Sequence, residues 1–159
     1  DPYEANLTEW YVIAYNSAST NPYAWNWGNK LTTTTAGRFS IANGLDGGSY
    51  AQGSNSRYYI PAGRRAPSGT FNGFFVDTTM YNRYVNGTAL SLRLKMTGAS
   101  GYSHDWIFPN IRFNGPRATP AIAGEQGIRQ DLPFQAIRHE GLGYDVIVKA
   151  TNDELITLY

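Results

Sequence analysis

Residues 89–97 read Ala-Leu-Ser-Leu-Arg-Leu-Lys-Met-Thr, a strict alternation of apolar and polar side chains. Successive side chains of a strand point to opposite faces, so Leu90, Leu92, Leu94 and Met96 share one face and Ser91, Arg93, Lys95 and Thr97 the other. A helix would scatter the same apolar residues around its circumference. The segment is therefore a strand with one buried face, and the rest of the chain must supply its neighbours.

The surrounding sequence supplies them. Glu9-Trp10-Tyr11-Val12-Ile13-Ala14-Tyr15 is dense in aromatic and β-branched residues and ends in the polar run Asn16 to Thr20, which predicts a first strand. Ser68 to Val76 predicts another, with Phe74-Phe75-Val76 as a continuous apolar end expected to be buried on both faces. Trp106 to Phe113 is a third, demoted toward an edge or a bulge by Pro109. Ile128 to Ile137 and Tyr144 to Thr151 read as two more, joined through Gly141-Leu142-Gly143 and expected to pair antiparallel. Leu155 to Tyr159 is apolar enough to be a terminal strand or arm, which needs a partner in its own subunit or another.

Two regions depart from the strand pattern. Asp77 to Gly87 carries an acid at the N-cap position, Met80 with Tyr84 and Tyr81 with Val85 at helical spacing, and Asn86-Gly87 as a stop, which predicts one short amphipathic helix. Asn21 to Arg65 is turn-rich and reads as long surface loops holding two short strands, Gly37 to Ile41 and Arg57 to Ile60. The fold class is therefore mainly β, a two-sheet sandwich or small barrel with one short flanking helix. At 159 residues the chain fits one domain: a loop-rich first part (1–65), a core (68–152) and a C-terminal arm (153–159).

Composition narrows the chemistry. Charged residues make up 16% of the chain, below the ~25% of an ordinary soluble domain. A formal charge of +1 gives no field to hold nucleic acid or an anionic membrane. The absence of Cys removes disulfides, thiolate catalysis and Cys-based zinc sites. No run approaches the ~18 apolar residues of a membrane span, so the chain is expected to be soluble.

Catalytic and ligand-binding signatures are missing. The His-acid pairs His104-Asp105 and His139-Glu140 are adjacent residues, expected to be surface or turn positions. No nucleophile elbow, His-Glu-x-x-His pair, phosphate loop or EF-hand spacing occurs, and Asp77, Asp105, Asp131 and Asp145 are scattered, so no catalytic residue, cofactor or metal ligand is assigned. The sequons Asn6-Leu7-Thr8 and Asn86-Gly87-Thr88 matter only in a secretory pathway. Arg38, Arg57, Arg64 and Arg65 are too few for a nucleic-acid stripe and read as solvated loop residues or inter-subunit ion pairs. The aromatics Tyr23, Trp25, Trp27, Tyr50, Tyr58 and Tyr59 leave open a carbohydrate-binding β-sandwich, against the plainer reading that they pin loops or line subunit contacts.

The order of elements from Ser68-Gly69 to Val76, Asp77 to Val85, Ala89 to Met96, Ile107 to Phe113 and Gly127 to Ala136 resembles the distal part of the tail tube subunits of long-tailed bacteriophages. Phe134-Gln135-Ala136 looks like that family's late strand. The resemblance implies a non-enzymatic structural protein of the virion tail, assembled in the host bacterial cytoplasm. Its partners would be itself, other tail proteins and DNA passing without specific binding through the lumen of stacked rings. It also implies inter-subunit strand pairing, for which Trp10, Tyr11, Val12 and Ile13 and the arm residues Leu155, Ile156, Leu158 and Tyr159 are the candidates. The polar face Ser91, Arg93, Lys95 and Thr97 would line the lumen or the outer surface. Some members carry two such modules in tandem, and a start at Asp1 without Met fits one module of a longer protein.

Overall fold

The computed structural model describes residues 8–28, 30–44, 64–76, 78–98, 102–114, 121–122 and 128–151. Among the described residues there are eight strands and one α-helix: β1 (Thr8–Ala14), β2 (Thr34–Ala42), β3 (Ala66–Phe74), α1 (Thr79–Val85), β4 (Leu90–Thr97), β5 (Ser103–Phe113), β6 (Ala121–Ile122), β7 (Ile128–Ala136) and β8 (Ile147–Thr151). All pairings are antiparallel, and the strands form one unclosed sheet ordered β1-β4-β5-β7-β3-β2, with β6 on β7 and β8 on β5. The protein is mainly β with one short helix, as its sequence predicts, and a single curled sheet does the work of both layers.

The alternation in β4 orients the core. Leu90, Leu92 and Leu94 are buried against Trp10 and Val12 of β1, Phe108, Ile111 and Phe113 of β5, Phe71 of β3, and Leu132 and Phe134 of β7. Edge-to-face aromatic contacts run through this interior, with Phe108 and Phe134 at 5.7 Å and Phe71 and Phe113 at 5.5 Å between ring centroids. α1 lays Met80 and Tyr84 onto the core and leaves Val85 exposed, which matches its helical spacing. Its N-cap is Thr78, without a side-chain cap bond, and Asp77 lies outside the described residues.

β5 is the central strand, not an edge. Pro109 is tolerated there because both its flanks are relieved of regular pairing. On the β4 side a bulge sets Ser91 opposite Pro109 and Asn110, and the Ser91 hydroxyl donates to the Pro109 carbonyl at 2.7 Å. On the other side β7 pairs with Ile111 to Phe113 and β8 with Ser103 to Ile107, so Pro109 faces the break between them. The missing N–H therefore costs no ladder bond.

The same break corrects the expected β7–β8 hairpin. Both strands form, but each pairs with β5, and they run in the same direction along it as two pieces of one interrupted strand. The loop between them turns at His139, which is fully buried. Its Nδ1 accepts from the N–H groups of Gly141 (3.1 Å) and Leu142 (3.0 Å), so Nε2 carries the proton toward the Asn16 carbonyl at 2.8 Å. A histidine expected at a surface or turn position thus stands at a turn, but buried, where it ties two loops together.

Three further expectations change. The strand from Ser68 stops at Phe74, and its apolar end is open: Phe74 is 43% and Val76 71% exposed. β2 is a nine-residue strand rather than a short piece, and Arg57 to Ile60 lie outside the described residues. The polar face of β4 is not a free surface, since Ser91 is buried and Arg93 is paired beneath a covering loop.

Leu92 is fully buried at the centre of the core. Leu92→Asp places an unpaired carboxylate there at a cost of several kcal/mol, against a total stability of ~5–15 kcal/mol. The expected outcome is loss of the cooperative thermal transition followed by circular dichroism; a cooperatively melting variant would contradict the placement.

Candidate assembly edges

Among the described residues β1 and β2 are the two ends of the sheet, and each presents a backbone edge with no ladder partner. The curl brings them together at one point. Leu31 N–H donates to the Trp10 carbonyl at 2.8 Å, and Tyr11 and Lys30 form an isolated bridge. Since the Trp10 carbonyl faces Leu31, the backbone groups of Thr8, Trp10, Val12 and Ala14 face away from β4, by the alternation of an antiparallel strand. No ladder joins β1 to β2. Between them lies an open trough of about 590 Å³, with Thr8, Trp10, Leu94 and Met96 on one wall and Thr34 to Phe39 on the other. The Trp10 ring reaches across to Gly37, where a Cβ would fall inside the indole.

The contact that pins this corner is polar. Lys30 Nζ and the Tyr11 hydroxyl each donate to Glu9, to Oε1 and Oε2 respectively, both at 2.6 Å. Lys30, then Tyr11, holds the Glu9 carboxyl below its ordinary value of 4.5, and Glu9 raises the Tyr11 phenol above 10.0.

Of the residues predicted to join subunits, Trp10 and Val12 bury their side chains in their own core, while Tyr11 and Ile13 are half-buried on the opposite face. Leu155, Ile156, Leu158 and Tyr159 lie outside the described residues. Sequence reasoning placed a short strand at Gly37 to Ile41 within β2 but did not name it as an edge. Thr35 to Arg38 and Ser40 are exposed, and Arg38 and a register shift between Thr34 and Ala36 are its only guards against pairing. The signal was the alternation of Phe39 and Ile41 with polar neighbours, diluted by a run of Thr.

The face of the sheet opposite the core has its own cover. Arg93 on β4 binds Asp105 on β5 through Nη2 (2.8 Å) and Nε (3.2 Å) and lies over the rings of Tyr11 and Trp27 at 5.8 and 5.9 Å. Trp27 is buried, with its N–H donating to the Pro22 carbonyl, and Trp25 packs between Trp27 and His139. These two aromatics pin a loop and are not free to stack on a sugar. Tyr23 is exposed beneath Lys149, while Tyr50, Tyr58 and Tyr59 lie outside the described residues. Arg65 pairs with Asp145 within the chain. Among the described residues no group of His, Asp and Glu is placed to hold a metal ion, and no helix is long and apolar enough to cross a membrane.

Because the folded state lowers the Glu9 pKa, its contribution is complete above the unfolded value and is lost as pH falls through the folded one. Exchange of the Leu31 amide, corrected for its intrinsic rate, should therefore accelerate as pH falls below the ordinary carboxylate range, and Glu9→Gln should remove that dependence. An acid-insensitive Leu31 amide in the native chain would contradict the role of the carboxylate.

A search of curated proteins finds no match to the chain. A family model described as phage tail tube protein matches residues 14–136, from the last residue of β1 to the last of β7. The match takes in β2, together with the strands from β3 to β7. A match over most of the chain, covering the strands that build its sheet, makes this protein a member of the phage tail tube protein family.

Proposed function

We propose that this subunit assembles edge to edge into rings, and that the rings stack into a tube enclosing a conduit for DNA in the virion tail. The observation that carries this reading is the unclosed sheet of a tail tube family member, whose two ends, β1 and β2, both leave backbone groups without a ladder partner. Different edges at opposite ends of one sheet make a heterologous contact, which generates a ring when the rotation closes. Neighbouring sheets would then continue one another around the lumen.

The near-balanced charge supports a conduit. A formal charge of +1 over the chain leaves few cationic contacts to arrest a moving phosphate backbone, so DNA passes without being bound. The other partners on this reading are further tail proteins at the two ends of the tube. A structural role accounts for the core, the covered outer face and the open edges without requiring a catalytic centre.

Mass photometry and negative-stain electron microscopy on the purified chain at rising concentration test the proposal. Discrete rings or stacked tubes are expected. A strict monomer at every concentration and ionic strength would overturn it.

A further inference from the structure

We infer that the open face of β2, β3 and β7, with the end of β5, is the surface that meets the phosphate backbone of duplex DNA, through Arg38, Arg112 and Arg129. The inference rests on the conduit reading above, from which it takes the partner, and names the face of the sheet that would line the lumen. On the side away from the core the two halves of the sheet differ. Over β1, β4 and the first half of β5, Tyr11 and Trp27 close around the Arg93–Asp105 pair. Over β2, β3 and β7 the side chains turned away from the core stand in rows. Ser40 lies opposite Ser68, Ser68 opposite Gln135 and Gln135 opposite Arg112, and the next row runs from Arg38 through Thr70 to Pro133. Arg38, Arg112, Arg129, Asp131 and Gln135 are all exposed.

The chemistry of this face suits a moving polyanion. Its middle is made of short uncharged polar side chains, and its three guanidiniums are spread over β2, β5 and β7. Asp131 is its one acid among the described residues, and it accepts from the Asn72 side-chain amide. No carboxylate pairs with Arg38 or Arg112 among the described residues. The face thus holds three of the 13 basic and one of the 12 acidic residues, leaving 10 basic and 11 acidic elsewhere, so the balanced total conceals a positive face on a slightly negative remainder. Guanidinium donors fit phosphate oxygens, and such contacts carry no sequence information. Single strands are held by aromatic platforms, whereas the aromatic ring on this side, Phe74, lies at the rim under Arg129 at 5.6 Å, which favours a duplex. Three exposed contacts that salt releases steer a duplex without arresting it.

Fluorescence anisotropy of dispersed subunits with short labelled duplexes of two unrelated sequences reads the contact. Both duplexes should bind alike at low salt and dissociate as salt rises. Arg38→Gln, Arg112→Gln and Arg129→Gln should each lower the slope of log affinity against log salt by about 1. A control variant that loses the same charge elsewhere, through Arg83→Gln, Arg138→Gln and Lys149→Gln, should keep the slope. Equal losses in the two sets, or no loss in the first, with circular dichroism unchanged, would overturn the inference. The absence of cysteine allows a second reading in assembled tubes. Gln135→Cys on the open face should react with a small maleimide but not with one carrying a long polyethylene glycol chain, whereas Ser17→Cys in the exposed loop after β1 should react with both. Tubes whose Gln135→Cys takes both reagents would overturn the inference and leave assembly standing. Subunits that never assemble, yet show the arginine-dependent slope, would overturn the assembly reading and leave the DNA contact standing.

Discussion

Every backbone N–H and C=O in a sheet needs a partner, and this sheet stops before its own ends meet. One bond from Leu31 to Trp10, with the Glu9–Lys30–Tyr11 contacts beside it, closes the curl at a single corner. Beyond that corner the edges of β1 and β2 stand apart over a trough floored by core side chains. The remaining structure can be understood as what is needed to hold an unfinished barrel in shape. A dense aromatic and aliphatic interior fixes the curl, and a covering loop stiffens the wall from outside.

That outer layer explains why the polar face of β4 is not a simple surface. Arg93 and Asp105 form a bidentate pair across neighbouring strands, sheltered by Trp27 and Tyr11. Breaking such a pair from one side leaves a poorly solvated charge, so the two strands are held in register by more than their ladder. His139 does the equivalent for the loops, joining the break between β7 and β8 to the segment after β1. Both faces of the wall are thereby tied to neighbouring segments of the chain.

Much of this was legible in the sequence wherever the signal was local. The alternation of residues 89–97 gave a strand with the correct buried face, and the spacing of Met80 with Tyr84 gave the helix and its packing side. What was not legible depended on partners remote in the chain. Pro109 argued for an edge or a bulge, and it is the bulge that is present: with a gap on the opposite flank it makes Pro109 compatible with the centre. β7 and β8 looked like a hairpin because they are close in sequence, whereas β5 aligns them end to end. β2 was read too short for a different reason: a strand with little buried surface has little apolar periodicity to read beyond Gly37 to Ile41. The full length of this edge strand was therefore the hardest to see, and the side chains of the β1 candidates Trp10 and Val12 belong to the core.

The central claim is that assembly completes the backbone hydrogen bonding of β2. Hydrogen–deuterium exchange of the amides from Ala36 to Ser40, compared between dispersed subunits and assembled tubes, tests it most directly. The account predicts strong protection of outward-facing β2 amides on assembly, while the already buried β4 amides around Leu92 stay unchanged. Equal exchange across β2 in both states would contradict it, and would mean that subunits join through some other surface.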